Sequence, residues 1–305
     1  MRTWAVAGMA LLLSMALATP ALAGPEVAVT VDDLPTHGAM PPGTTRRAIA
    51  DQMIHALRRH AVPGVYGFMN GGQLQHEPEL EAIVRAWRQA GFVLGNHTYS
   101  HLDLTRVAAV DYVADIERNE AVLKRFSRTE TSRYFRYPYL HEGNTEDKRT
   151  TVREWLAARA YTIAPVTVSL EDEGWAAAYA RCVGMGDTLT IARLKRRFVD
   201  TSIRRMAAFD ELSQRLFKRS IKHILLVHMG AFDAMVLDDL LAAHRAAGAR
   251  FIRLSEAVQD PAYRIAAQAA VDDGATFLVH IARDKGVPLP AALTDSSDEL
   301  ARLCR

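Results

Sequence analysis

The sequence is short of the features that staple a chain, anchor it or draw it to a polyanion. Its 305 residues include only 2 cysteines, which excludes a disulfide-dense scaffold. Cys182 and Cys304 either form one disulfide between the chain's end and its body or stand as two unrelated thiols. Net charge is +2, from 37 basic and 35 acidic side chains, so no global field favours nucleic acid or an anionic lipid surface. The glycine-rich phosphate fingerprint of a dinucleotide fold is missing. So are internal repeats, low-complexity tracts and an interdomain linker. Beyond residue 23, no apolar run reaches the roughly 20 residues that a bilayer requires.

What is present begins with a leader pattern. Met1-Arg2 is followed by an apolar run from Trp4 to Ala18, broken only by Ser14, and then by Thr19-Pro20-Ala21-Leu22-Ala23. A basic start, a short apolar core and an Ala-x-Ala end predict a secretory signal peptide cleaved after Ala23. The mature chain is therefore expected to be exported, periplasmic or secreted, without stable membrane insertion.

From there, strand-like runs alternate with amphipathic ones. Strands are expected at Val27–Val31, Val65–Met69, Phe92–Asn96, Tyr134–Tyr137, Tyr161–Val166, Ile224–Val227 and Phe251–Leu254. Helices are expected between them, among others over Thr45–His60, Glu77–Ala90, Ala109–Phe126, Lys148–Arg159, Thr190–Phe217 and Leu237–Ala247. Strands alternating with helices imply βα units and a parallel sheet. Seven units in about 230 residues favour a closed or nearly closed barrel over an open doubly wound sheet. The expected fold is thus α/β, a distorted (β/α)7-type barrel forming one catalytic domain over residues 24–260. Residues 261–305 would form a short helical tail on the outside of the barrel. The stretch from Thr190 to Lys222 carries ten basic residues and reads as a helix with a solvated basic face. Its sharper alternative is a surface for an anionic envelope polymer.

In a parallel barrel, side chains of catalytic type gather where strands end. The first strand delivers Asp32-Asp33, the third His97 and His101, the fourth Arg136-Tyr137-Pro138-Tyr139 and the sixth Leu226-Val227-His228. Asp172 follows the fifth. One carboxylate and two imidazoles form the ligand set of an open catalytic zinc site, with a position left for water. Asp33, His97 and His101 are those candidates, the two histidines expected one helical turn apart. Thr98 stands where a zincin would carry its glutamate, so the base must come from elsewhere, and Asp32 is the candidate. A metal-bound water, its pKa lowered to about 7, would attack a carbonyl. The backbone N–H of Tyr139, after Pro138, could hold the oxyanion. His228 could protonate the leaving group, held in its charged form by Asp172, while Arg136 orients Asp32.

These segments, in this order, resemble the polysaccharide deacetylase family (carbohydrate esterase family 4, the NodB-type homology domain). Its Thr-Phe-Asp-Asp motif is similar to Thr30-Val31-Asp32-Asp33, and its His-Ser/Thr-x-x-His motif to His97-Thr98-Tyr99-Ser100-His101. Its Arg-x-Pro-Tyr and Leu-x-His motifs resemble Arg136–Tyr139 and Leu226–His228. The resemblance implies a distorted (β/α) barrel and a divalent metal, zinc first and cobalt or nickel next. It also implies hydrolysis of N-acetyl or O-acetyl groups on a glycan. It assigns Asp32 as base, Asp33, His97 and His101 as ligands, and His228 as acid. One motif departs. Asp-x-x-Asp-Trp meets Ser169-Leu170-Glu171-Asp172-Glu173, which keeps only the second Asp. Leu34 also replaces a common Gly. Trp175 could supply the missing aromatic wall or belong to the core. The two rivals to a glycan deacetylase are an amidase of the same fold acting on a non-sugar C–N bond and a non-catalytic glycan-binding protein.

Simpler readings cover the remaining look-alikes. Asp238-Asp239 reads as a solvated pair. Leu278-Val279-His280 repeats the Leu-x-His form in the tail, where His280 is expected to be an ordinary helix residue. His37 and His141, each in a loop directly after a motif, are candidates for lining a groove. Tyr139 and Leu140 could wall an acetyl pocket, joined by Leu226, and Asn70 and Trp175 could touch substrate.

Overall fold

A single long strand, β1 (Glu26–His37), lies at the middle of the sheet because its residues have no solvent-facing side. Every side chain from Val27 to Leu34 is at least nine-tenths buried, which is the signature of a parallel strand covered on both faces. The computed structural model describes residues 24–126, 133–265, 273–294 and 299–305. The expected signal peptide lies outside the described residues. Beside β1 run β2 (Tyr66–Met69), β3 (Val93–Asn96), β4 (Arg133–Phe135) and β5 (Tyr161–Ile163) in one direction. On its other side come β7 (His223–Gly230) and β6 (Val168–Ser169). β8 (Arg250–Phe251) pairs with the start of β1, and every pairing is parallel.

The helices follow local rules. Thr45 caps α1 (Arg46–Arg59) by accepting from Ala48 N at 3.1 Å, and Ile49, Met53, Ala56 and Leu57 form its buried stripe. α2 (Glu81–Gln89), α3 (Ala109–Leu123) and α4 (Glu146–Ala158) follow β2, β3 and β4, and Thr145 caps α4 as Thr45 caps α1. Two helices fill the connection from β6 to β7. α5 (Asp172–Gly184) stops before Gly186, which takes the left-handed conformation at φ 69°, and α6 (Thr188–Phe217) restarts behind an Asp187 cap. α7 (Ala231–Ala246) returns the chain towards β8. Among the described residues, no helix is long and apolar enough to cross a membrane.

The fold is the expected distorted (β/α)7-type barrel, with two differences. The two-residue β6 gives no apolar run to read. Among the described residues the sheet also does not close on itself, β5 and β6 being its two edges. The tail does not simply coat the outside. It docks at the open seam, where Phe277 N donates to Val166 O at 2.9 Å. α8 (Phe277–Asp284) buries Leu278, Val279, Ile281 and Ala282 there. His280 is therefore a buried residue, its Nε2 3.3 Å from Asp273. Half of the ten basic residues in the basic stretch meet a carboxylate: Lys195, Arg197, Arg205, Arg215 and Arg219.

Cys182 on α5 and Cys304 form a disulfide, with Cα atoms 5.0 Å apart and a separation of 122 positions in sequence. Arg181 reinforces the same junction by donating to Leu300 O at 2.7 Å and Leu303 O at 3.1 Å. A cross-link over so long a loop restricts the unfolded chain strongly, by about 2–4 kcal/mol in typical proteins. Cys304→Ser should accordingly lower the thermal midpoint by several degrees, and reduction of the wild type should lower it equally. Identical melting of oxidised, reduced and substituted protein would show that the bond restrains nothing.

Candidate active site

Asp33 leaves the strand geometry at φ 62°, a left-handed conformation that a non-glycine residue adopts only when its surroundings hold it there. The turn sends its carboxylate towards the two histidines after β3. Oδ1 stands 3.4 Å from His97 Nε2 and 3.2 Å from His101 Nε2, and one donor atom from each residue lies within 4.8 Å of the others. Asp33 Oδ1 is buried without a hydrogen-bond partner. Burial opposes charge on this carboxyl, but His101, His37 and His97 face it and hold its pKa well below the ordinary value.

The donor set passes a chemical test as well. His97 Nδ1 lies 2.8 Å from the carbonyl of Arg136. A carbonyl only accepts, so Nδ1 carries the hydrogen and Nε2 presents its lone pair to Asp33. Two imidazole nitrogens and one carboxylate oxygen suit zinc in an open three-ligand site.

The spacing of the two histidines has a different origin from the one expected. Residues 97–101 are a loop rather than a helical turn, with Thr98 and His101 at φ 62° and 55°. Helix α3 pins it: Asp115 accepts from Ser100 N at 2.8 Å and from Ser100 Oγ at 3.0 Å. Asn96 Oδ1 accepts from Thr98 N at 3.0 Å, and Asn70 donates to His97 O at 2.5 Å. Neither Asp115 nor Asn96 carries a local sequence signal for this task.

Asp32 is 2 % exposed and belongs to a second set of contacts. Arg136 Nη1 donates to its Oδ1 at 2.9 Å and to Thr30 Oγ1 at 2.9 Å, while Nε donates to Ala164 O at 3.0 Å. Oδ2 is left facing His97 Nε2 at 3.7 Å. Adjacent residues thus serve different partners, Asp33 the histidines and Asp32 the guanidinium.

His228 forms the opposite wall. Its Nδ1 lies 2.9 and 2.8 Å from the two oxygens of Asp172. Burial alone would push the imidazole pKa down, but the Asp172 carboxylate raises it well above 6.5. Burial likewise opposes charge on Asp172, and His228 overrides it, holding that carboxyl low. Asp233, in the first turn of α7, is the partner that sequence reasoning missed. Burial first, and then the neighbouring Asp172 charge, raise it well above the ordinary carboxyl value. His37 stacks on His228, with ring centroids 4.7 Å apart.

These side chains open into one groove of about 640 Å³. Asp32, Asp33, His97, His101, Tyr139, Asp172, Leu226 and His228 line it, as do Asn70, His37, His141 and Leu140. Tyr139, at φ 57°, is 50 % exposed and meets His101 edge-on at 4.6 Å. The tail adds Asp273 and Gly274 to the rim. Two residues expected at the substrate are elsewhere. Trp175 packs in the core against Phe198 and Phe232, at 5.3 and 6.4 Å. Pro138 is buried and does not line the groove. Glu173 takes the wall position instead.

Residues 20–157 match the model of the polysaccharide deacetylase family. A peptidoglycan-N-acetylglucosamine deacetylase of Bacillus cereus (strain ATCC 14579) is 31 % identical over 114 residues, 37 % of this chain. The match spans 36 % of that relative, about a third of its length. Among solved structures, a mutant of a CE4 family pseudoenzyme superposes with a TM-score of 0.51 at 15 % identity, covering 77 % of this chain and 68 % of the other. A second mutant of it, with restored enzymatic activity, gives 0.50 at 16 % identity over the same shares. The wild-type pseudoenzyme, from Bacillus anthracis, gives 0.50 at 15 % identity, covering 77 % of this chain and 66 % of the other. At this identity the structures share a fold.

The His228–Asp172 pair makes a directional prediction. A raised folded-state imidazole pKa stabilises the fold fully below the unfolded value and loses that contribution as pH rises through the folded value. Asp172→Asn removes the raising charge and leaves burial, so the His228 titration should move down. Imidazole NMR reads this directly. An unmoved His228 titration in that variant would show that Asp172 does not set its charge.

Proposed function

We propose that this chain, whose residues 20–157 match the model of the polysaccharide deacetylase family, is an exported, metal-dependent hydrolase that removes acetyl groups from an N-acetylated glycan. One observation carries the reading. Three ligand atoms, on Asp33, His97 and His101, lie between an Arg136-bound carboxylate and a carboxylate-bound imidazole in a single groove. Asp33 Oδ1, His97 Nε2 and His101 Nε2 would hold the ion. A divalent metal of this site, zinc by its donor set, supplies a water ionisable near neutral pH and polarises the acyl oxygen.

The protein's own groups complete the hydrolysis. Asp32 is fixed through Oδ1 by Arg136, and its free Oδ2 takes the proton of the attacking water. The backbone N–H of Tyr139 donates to the oxygen of the tetrahedral intermediate. His228, charged because Asp172 holds Nδ1, gives the Nε2 proton to the departing amine. Water adds to the carbonyl, the C–N bond breaks, and acetate and a free amine leave. Leu226 offers the acyl methyl an apolar contact.

Glu173 favours a second reading. With a carboxylate on the wall and Trp175 in the core, the tryptophan expected at that wall does not line the groove. An amide of another class, cleaved at a non-sugar C–N bond by the same residues, fits that wall.

Acetate release from chitin oligomers, peptidoglycan and acetylated xylan separates the readings. A glycan deacetylase releases acetate from at least one of them; release from simple acetamides alone selects the second. Asp32→Asn should lower turnover by about 10²–10⁴-fold with metal content unchanged, and His97→Ala should lose metal and turnover together. Metal loss in Asp32→Asn would make Asp32 a ligand and dissolve the proposed division of roles.

A further inference from the structure

His37 ties the two walls of the site together. β1 and β7 stay in register up to Asp32 opposite His228, and meet again only at His37 opposite Gly230. Residues 33–36 of β1 therefore span the length that Met229 alone occupies on β7. Such slack re-aims side chains at the end of a strand, and here it brings His37 back over the site. Its Nδ1 lies 2.5 Å from Asp33 Oδ2, and its ring lies nearly flat on His228, at an interplanar angle of 26°.

The two oxygens of Asp33 are divided by this contact. Oδ1 faces His97 and His101, and Oδ2 faces His37. A carboxylate accepts only, so Nδ1 of His37 is the donor. We propose that His37 is a positioning residue that holds Oδ2 by hydrogen bond, so that Asp33 presents Oδ1 alone to a divalent metal, while its ring backs His228. The inference rests on the metal site proposed above and not on any substrate.

The physical reason is preorganisation. An unrestrained carboxylate rotates and exchanges its oxygens, whereas one held at Oδ2 keeps Oδ1 on a fixed bearing. Outer hydrogen bonds to metal ligands are typically worth about 10–100-fold in affinity. His37 is also well placed for substitution, because its side chain retains 28 % of its exposure and is not a core residue.

Two variants separate its two contacts. His37→Phe keeps a flat ring for His228 and removes the donor. His37→Asn keeps an amide N–H near the Nδ1 position and removes the ring. Zinc affinity of the full chain, measured by competition with a chromophoric chelator, should fall about tenfold or more in His37→Phe and stay near wild type in His37→Asn. The visible spectrum of the cobalt-loaded protein should change in the Phe variant only. Wild-type affinity in His37→Phe, or equal losses in both variants, would overturn the proposal and leave His37 a packing residue. Neither readout needs a substrate. A chain that binds zinc with this pattern but releases no acetate would count against the hydrolase reading alone.

Discussion

The guanidinium of Arg136 must be satisfied where water does not reach it. It is 1 % exposed, and burying such an ion costs several kcal/mol unless its partners are close and correctly placed. Asp32, Thr30 and the Ala164 carbonyl meet its Nη1 and Nε, the ring of Phe68 lies 4.4 Å from its charged carbon, and its buried Nη2 has no hydrogen-bond partner among the described residues. These partners sit on β1, on β2 and just past β5, so neutralising one charge draws four strands into a common arrangement at their C-terminal ends. The carbonyl of the same residue fixes the ring of His97. Gly95 is part of this constraint: a Cβ there would lie 2.5 Å from the Phe68 ring.

Around that point the groove is chemically asymmetric. One wall pairs a carboxylate with a fixed cation that cannot titrate in the working range. The other surrounds an imidazole with two carboxyls, one held charged and one pushed towards neutrality. Separate environments for an acceptor and a donor of protons are what acid–base hydrolysis requires. Six of the ten non-glycine residues with positive φ among the described residues lie at or beside this groove: Asp33, Thr98, His101, Tyr139, Leu140 and Glu171. Their clustering shows where the fold gives up local ease to direct side chains.

Much of this was legible in the order of residues. Apolar runs located β1, β2, β3 and β7 because buried parallel strands have no polar face to interrupt the run. The Asp pair, the two histidines and Arg136–Tyr139 stood out because each ends such a run. Other parts had no local signal. β6 is two residues long, and Asp233 looks like any acidic residue near a helix start until its contact with Asp172 is seen. The loop at 97–101 mimics a helical spacing because i and i+4 also meet across two left-handed residues. Trp175 could not be placed without the rotation of α5, which only packing against Phe198 and Phe232 decides. The seam between β5 and β6, and the tail that covers it, are long-range facts that no window of sequence contains.

The central claim is that Asp33, His97 and His101 hold one divalent ion while Asp32 stays off it, bound to Arg136. A crystal structure of the zinc-loaded protein, with the ion located by anomalous scattering, tests this most directly. One ion per chain should lie about 2.0–2.2 Å from Asp33 Oδ1, His97 Nε2 and His101 Nε2, with Asp32 still on the guanidinium. An ion bound through Asp32, or no anomalous peak among these three residues, would contradict the account.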